Sequence, residues 1–167
     1  MIFEGLVHRL GDDVDTDAIL AGRYLALRDP AALAAHCLEG LDPGFRTRVR
    51  PGDILVAGRN FGNGSSREHA VIALKAVGIS AIVAVSAARI FFRNAINLGL
   101  PVLLCPNAVL GLRAGVRAAV SLAEPAISQD GQVWTAAPLG AEVRAILAAG
   151  GLIERTRARI SEAALSR

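Results

Sequence analysis

The apolar residues of this chain fall in short blocks separated by glycine, proline and acidic residues, and the blocks alternate between strand-like and helix-like patterns. The opening block, IFEGLVHRL, predicts a strand, and the acidic loop DDVDTD follows it. Asp29-Pro30 predicts a helix through about Leu38. Asp29 is its N-cap, and Pro30 takes the first helical position, where a missing N–H costs nothing. DPGFRTRVRPGD is rich in turn residues and leads into a short buried strand, Asp53 to Ala57.

The middle of the chain is the most regular. GRNFGNG is a glycine-rich loop, and Ser65 to about Val77 follows as a helix. Ser65 and Glu68 have the S-x-x-E spacing of a capping box. Gly78 ends that helix, and Ala81 to Ser86 is a second buried strand. Ala88 to Leu98 is a helix closed by Gly99, and PVLLC is a third strand. Strand–helix–strand–helix–strand at this spacing predicts parallel pairing with right-handed crossovers. Weaker strands are expected around Val116 to Leu122 and Gln132 to Thr135, with a turn at Asp130-Gly131 between them. A helical tail from about Leu139 to Leu165 is broken near Gly150-Gly151. With no repeat or linker, the pattern predicts one α/β domain over 1–167, with a core of about 2–122 and a mixed sheet.

Composition narrows the class. At 167 residues, 53% hydrophobic and 20% charged, the chain is one domain's worth and can bury a core built from aliphatic residues, since aromatics are only 4%. No apolar run approaches a membrane helix, and MIFEGLVHRLGDD lacks the features of a signal peptide. The expectation is a soluble, cytoplasmic protein with no membrane partner. The net charge is +3, and all 18 basic residues but Lys75 are arginine. They are scattered, and aromatic stacking partners are few, so nucleic acid is not expected as a partner. Arg155, Arg157 and Arg159, interleaved with Glu154 and Glu162, read as a solvated helix face.

The stretch Arg59-Asn60-Phe61-Gly62-Asn63-Gly64-Ser65-Ser66-Arg67-Glu68-His69 carries the most chemistry. Glycines let the backbone approach a ligand, and the following helix turns free N–H groups and a partial positive charge toward that spot. Arg67 adds a planar fork suited to a carboxylate or phosphate. Such donors also lower the cost of a serine alkoxide, which fits proton removal from a carbon beside a carboxylate. A plain helix cap and tight turn is the competing reading, and a stand-alone anion-binding domain is the non-enzyme alternative. Asp13, Asp15 and Asp17 have EF-hand spacing, but Ala18 and Tyr24 occupy the positions that need Gly and Glu, so a calcium loop is not expected. Asx turns account for most of this acidic loop, while one Asp is free to face the anion loop. His69 is expected to be packed or hydrogen-bonded, and His8 and His36 are isolated. Cys37 and Cys105 read as buried thiols and Trp134 as packing, so no metal site is expected.

GDDVDTDAI, GRYL, AGRNFGNGSSREHA and VSAARIFFRNAINLGLP together resemble the small subunits of 3-isopropylmalate dehydratase, the swivel domain of the aconitase superfamily. The resemblance runs from about Ile2 to Cys105 and more loosely to the C-terminus. It implies a β/β/α layered swivel fold with a mixed, largely parallel sheet. It also implies a hydro-lyase active only with a large subunit, which carries a [4Fe–4S] cluster. Ser65 is then the base that takes and returns the proton on carbon, Arg67 binds a substrate carboxylate, Ser66 helps hold the loop, and Asp17 orients the serine loop. Asn63 and Gly64 line the same ligand. The reaction implied is isomerisation of 2-isopropylmalate to 3-isopropylmalate through an alkene, in leucine biosynthesis.

After Tyr24-Leu25, many short isopropylmalate subunits carry Arg-Thr, whereas this chain has Ala26-Leu27 followed by Arg28. The resemblance makes this loop the reader of the substrate's variable group. An aliphatic Ala-Leu surface suits an isopropyl or methyl group, at about 0.8 kcal/mol per buried CH₂. Arg28 suits a distal carboxylate, as on homoaconitate or a citrate-like substrate, or takes the place of the arginine missing from this loop. Homoaconitase and a dimethylmalate-type hydratase therefore stay open, as does a homo-oligomer for the isolated chain.

Overall fold

Strands that are apolar on both faces need cover on both faces, and that requirement sets the layering. The computed structural model describes residues 1–165. The chain runs β1 (Ile2–Arg9), α1 (Thr16–Ile19), a 3₁₀ turn at Gly22–Tyr24, α2 (Pro30–Ala34), α3 (Phe45–Arg48), β2 (Asp53–Ala57), α4 (Glu68–Val77) and β3 (Ile79–Ala84). It continues through α5 (Arg89–Asn97), β4 (Val102–Leu104), α6 (Pro106–Gly111), β5 (Arg117–Ser121), β6 (Ala126–Gln129), β7 (Gln132–Thr135), α7 (Ala141–Ala148) and α8 (Leu152–Leu165). The strands form one seven-stranded mixed sheet in the order β4-β3-β2-β1-β5-β6-β7. Neighbours from β1 to β4 are parallel, and β5, β6 and β7 add antiparallel beyond β1.

Every residue of β2 is buried. Leu55 and Ala57 face a core shared with α1, α2, α4 and α5. Ile54 and Val56 face the second core, with β5, β6, α6 and α7. Full burial of such a side chain contributes about 1.5–3 kcal/mol, so the central strands carry much of the stability. The sheet curls around the second core. Cys105, just past β4, donates its thiol to the Thr135 carbonyl at 3.6 Å, although β4 and β7 end opposite sides of the sheet. Trp134 lies against Gly111, where an added Cβ would stand 2.3 Å from the indole.

Several elements differ from expectation. Asp29 does cap α2, accepting from the Ala32 N–H at 3.1 Å, but the helix stops at Ala34. Leu38 adopts φ 58° and bonds to the Ile19 carbonyl instead, which turns the chain into the core. The strand expected over Ala81 to Ser86 begins at Ile79 and ends at Ala84, because Val85 and Ser86 turn to serve the loops after β2. The turn at Asp130-Gly131 joins β7 to β6, a strand the sequence pattern did not announce. β6 has four residues and alternates, with only Ile127 and Gln129 buried. The short helix α3 falls within the stretch where the sequence predicts turns, and α6 has no counterpart in the apolar pattern. The tail breaks at Gly150-Gly151 as expected.

His8 is not isolated: its Nε2 stands 2.8 Å from Asp53 Oδ2, with the ring edge-on to Phe45. Asp53 also accepts the Leu6 and Arg50 N–H groups, both at 2.9 Å, joining β1, β2 and the preceding turn. Burial opposes ionisation of this carboxyl, yet His8 and the two backbone donors outweigh it and hold its pKa below the usual 3.8. Its contribution is therefore present above about pH 4 and is lost as the pH falls through the depressed folded value. Asp53→Ala strands two backbone donors at the sheet's start and is expected to cost about 3 kcal/mol in urea unfolding at pH 7. Asp53→Asn should remove part of the acid-limb pH dependence between pH 5 and pH 3. A loss under about 0.5 kcal/mol for the alanine variant would show the bonds to be dispensable.

Candidate functional site

Two loops leave the carboxyl ends of β1 and β2 side by side, and they are bonded to each other along their length. The Asp13 N–H donates to the Arg59 carbonyl at 2.8 Å, Gly62 N–H to Val14 at 2.8 Å, and Thr16 N–H to Asn63 at 2.9 Å. Side chains add to this seam. Asp12 accepts from the Arg59 backbone N–H at 2.7 Å and from its guanidinium at 3.0 and 3.2 Å. That backbone bond first, and the guanidinium second, lower the Asp12 pKa. Asn60 Nδ2 donates to Asp13 Oδ1 at 2.9 Å, and Asp15 caps α1 through the Ala18 N–H at 2.7 Å. These aspartates are thus occupied in holding the loops, and only Asp17 projects from the seam toward Arg67.

The second loop is also fixed from behind. Phe61 is fully buried with its ring edge-on to Phe91, centroids 5.1 Å apart. Ala88 N–H donates to the Phe61 carbonyl at 2.9 Å. Gly62 has φ +72°, and a Cβ there would stand 2.2 Å from Phe91 Cγ, so glycine is required on both counts.

From this base Gly64, at φ +95°, lifts the chain away from the helix that follows. The expected capping box does not form. α4 starts at Glu68, Arg67 is its N-cap without a side-chain bond, and the Arg67 N–H bonds back to the Ser65 carbonyl at 2.8 Å. Ser65 and Ser66 stay in the loop and are exposed. Ser65 Oγ faces Thr16 Oγ1 at 3.4 Å, and Thr16 is buried. Arg67 Nη1 makes an ion pair with Asp17 Oδ1, leaving Nη2 and Nε without a partner among the described residues. A Cβ on Gly22 would lie 3.5 Å from Asp17 Oδ1 and 3.6 Å from Arg67 Nη1, so the GRYL turn abuts this pair. Asp17 therefore pairs with Arg67 directly, while the hydroxyl nearest Ser65 Oγ is that of Thr16, which the sequence pattern does not single out beside Asp17.

The Asn63 amide is used within the loop, donating to the Asn60 carbonyl at 2.9 Å. Tyr24 stacks on His36 at 3.7 Å between ring centroids and donates to Glu39 Oε1 at 2.5 Å. His36 is therefore not isolated either: its Nδ1 also meets Glu39, at 2.7 Å. The Tyr24 hydroxyl first, then His36 and Arg23, hold the Glu39 pKa at about 2. Tyr24 is thus fixed in the loop by its ring and its hydroxyl. Leu25 and Leu27 are half-buried, and Ala26 and Arg28 are exposed; none bonds to Ser65, Arg67 or Asp17 through its side chain among the described residues. His69, expected deeper in the helix, is its second residue and half-buried without a side-chain bond among the described residues. Arg89 and Arg93, which sequence reasoning did not single out, line a groove of about 650 Å³ with Gly62, Gly64, Ala88 and Ile90. Their spacing of four in a helix opening was the available signal.

Among the described residues, no group of three or more His, Cys, Asp or Glu side chains is placed to hold a metal ion. Cys37 and Cys105 are buried on opposite faces of the sheet, and burial pushes the Cys37 thiol up to about 12. No helix of the described residues is long and apolar enough to cross a membrane.

Residues 28–107 match the model of the aconitase C-terminal domain. The chain is 50% identical to the 3-isopropylmalate dehydratase small subunit of Heliobacterium modesticaldum, covering 97% of this chain and 99% of that one. It is 48% identical to the 2,3-dimethylmalate dehydratase small subunit of Eubacterium barkeri, over 90% and 93% of the two chains. The crystal structure of a 3-isopropylmalate dehydratase chain from Methanocaldococcus jannaschii superposes with a TM-score of 0.94 at 43% identity, over 100% of both chains. The swivel-type fold implied by the sequence is thereby confirmed.

The packing of the loop against α5 makes a measurable claim. Gly62→Ala is expected to destabilise the chain by about 3 kcal/mol or more, from the left-handed backbone and the clash with Phe91 together. Combining it with Phe91→Ala should cost less than the sum of the two single losses, because one substitution makes the room the other needs. Additive losses would show that the two residues do not press on each other.

Proposed function

We propose that this chain, which belongs to the family of 3-isopropylmalate dehydratase small subunits, supplies a proton-transferring serine and a carboxylate-binding arginine to a site shared with a large subunit. The observation that carries this reading is the convergence of Ser65, Thr16 and the Asp17–Arg67 pair at the lip of two interlocked loops. The match along the whole chain, beyond the glycine loop alone, favours an enzyme subunit over a stand-alone anion-binding domain.

In this reading Arg67 receives a substrate carboxylate on its unpaired guanidinium edge, and Asp17 keeps the fork turned toward the loop. The carboxylate places the neighbouring carbon above Ser65. Ser65 as alkoxide takes the proton from that carbon, with Thr16 as its hydrogen-bonding neighbour and Arg67 as the nearby positive charge. The C–H electron pair forms the alkene as the hydroxyl leaves from the adjacent carbon. Readdition of the hydroxyl to the carbon that lost the proton, and return of the proton from Ser65 to the carbon that lost the hydroxyl, gives the isomer. The net change is 2-isopropylmalate to 3-isopropylmalate, a hydro-lyase step of leucine biosynthesis in the cytoplasm. The iron–sulfur cluster is assigned to the large subunit, since the thiols of this chain are buried and apart.

Ala26 and Leu27 are the surface assigned to the isopropyl group. A second reading rests on Arg28, which is exposed and has no ion-pair partner among the described residues. A distal carboxylate there would make homoaconitate the substrate, and a smaller branched group would fit dimethylmalate.

Ser65→Ala is expected to leave assembly with the large subunit intact and to lower kcat by about 10²–10⁴-fold in an anaerobic dehydratase assay. Near-normal turnover would remove Ser65 as the base. Arg67→Lys should lower kcat/KM by about tenfold or more, because a point charge does not reproduce the planar fork; an unchanged value would place the carboxylate elsewhere. Running the assay with isopropylmalate, homoaconitate and dimethylmalate separates the substrate readings, since preference for homoaconitate would move the assignment to Arg28.

A further inference from the structure

Helix α5 opens with an arrangement its own fold does not favour. Arg89 stands in the first turn, where the helix presents partial positive charge, and that turn contains no acidic residue and no side-chain cap. Arg93 follows four residues later, so two like charges share one helix flank. Both are exposed, and no hydrogen bond or ion pair engages either among the described residues. Three arginines of the neighbouring loops behave otherwise: Arg23, Arg59 and Arg67 each meet a carboxylate within the chain, while Arg28 is unpaired among the described residues. Beside the pair on the same helix is Ile90, a large aliphatic side chain 51% exposed. Together they line the groove of about 650 Å³ whose opposite wall is Gly62 and Gly64, the backbone leading to Ser65.

We propose that this flank of α5 is where the large subunit docks, and that it receives an acidic segment of that partner with an apolar side chain beside it. Carboxylates of the partner meet Arg89 and Arg93, and the apolar side chain covers Ile90. The inference rests on the reading that the chain works with a large subunit. Charge complementarity argues for this occupant, because Arg89 at the helix start and Arg93 one turn on are like charges, unpaired among the described residues, that carboxylates of a partner would neutralise. A small anion would satisfy the charges but leave Ile90 uncovered. Position argues for it too. The Ala88–Phe61 backbone bond and the Phe61–Phe91 contact tie α5 to the loop rigidly, so a partner seated here sets the distance from its own surface to Ser65.

The test uses the full chain and its large subunit, mixed anaerobically without substrate, with the dissociation constant measured by sedimentation at low and high salt. Arg89→Glu/Arg93→Glu is expected to weaken association by about thirtyfold or more and to flatten its salt dependence. Its thermal midpoint should be unchanged or higher, since Glu suits a helix start. Ile90→Ser should weaken association by about tenfold, and Arg46→Glu, on an exposed site elsewhere, should leave it unchanged. Association of the double variant within twofold of the original overturns the docking surface, as does unchanged association with a raised KM, which would give these arginines to the substrate. Failure of the unaltered chain to associate at all overturns the shared-site reading and this inference with it. Ser65→Ala binding normally but failing to turn over keeps the two questions separate.

Discussion

The seam between the acidic loop and the glycine loop is the constraint on which the rest of the site depends. Neither loop has enough apolar surface to hold its own shape, and both leave the same end of the parallel strands, where open α/β sheets present their ligands. Bonding them to each other satisfies backbone groups that would otherwise need water, at Asp13, Gly62 and Thr16 along the seam. Val14, buried within the acidic stretch, anchors the seam to the core beneath. The carboxylates that suggest a metal site are thereby committed to architecture, and Asp17 is the one left to act outward. Ser65 inherits its position from this seam and from Gly64.

The site is preorganised on one side only. Phe61, Gly62 and α5 give the glycine loop a rigid back, while Ser65, Ser66 and Asp17 in front are exposed. An alkoxide facing water would be quenched, so the chemistry proposed needs a second surface to exclude solvent and strengthen the field of Arg67. The unpaired arginines of α5 lie on the rim of that open side.

Much of this was legible from residue patterns. The both-faces-buried strand Asp53–Ala57 falls where the apolar block predicted it, as do the helix ends at Gly78 and Gly99. These are short-range signals whose physics is local. The capping box at Ser65 failed for the opposite reason: a local S-x-x-E signal was overridden by the tie from Asn63 to Thr16, nearly fifty residues away in sequence. The pairing of Asp53 with His8 and the occupation of Tyr24 by Glu39 are likewise long-range, and no spacing announces them. β6 was missed because four residues with two inward positions carry too little periodicity. Thr16 and Arg89 were hidden differently, since an ordinary hydroxyl and one more arginine gain meaning only from what stands beside them.

The placement of β1 also governs how the molecule is made. It precedes every other strand of the sheet along the chain, yet it lies in the middle of the sheet, with β2 on one side and β5, more than a hundred residues later, on the other. The parallel half from β1 to β4 can assemble while translation proceeds, but it does so with one long edge of β1 bare. That edge is a ready template for strand addition until Arg117–Ser121 arrives to close it. A nascent chain stalled shortly before β5 would thus expose an adhesive strand at its centre, and the burden of protecting it falls on the ribosome-bound stage of the protein's life rather than on the finished fold.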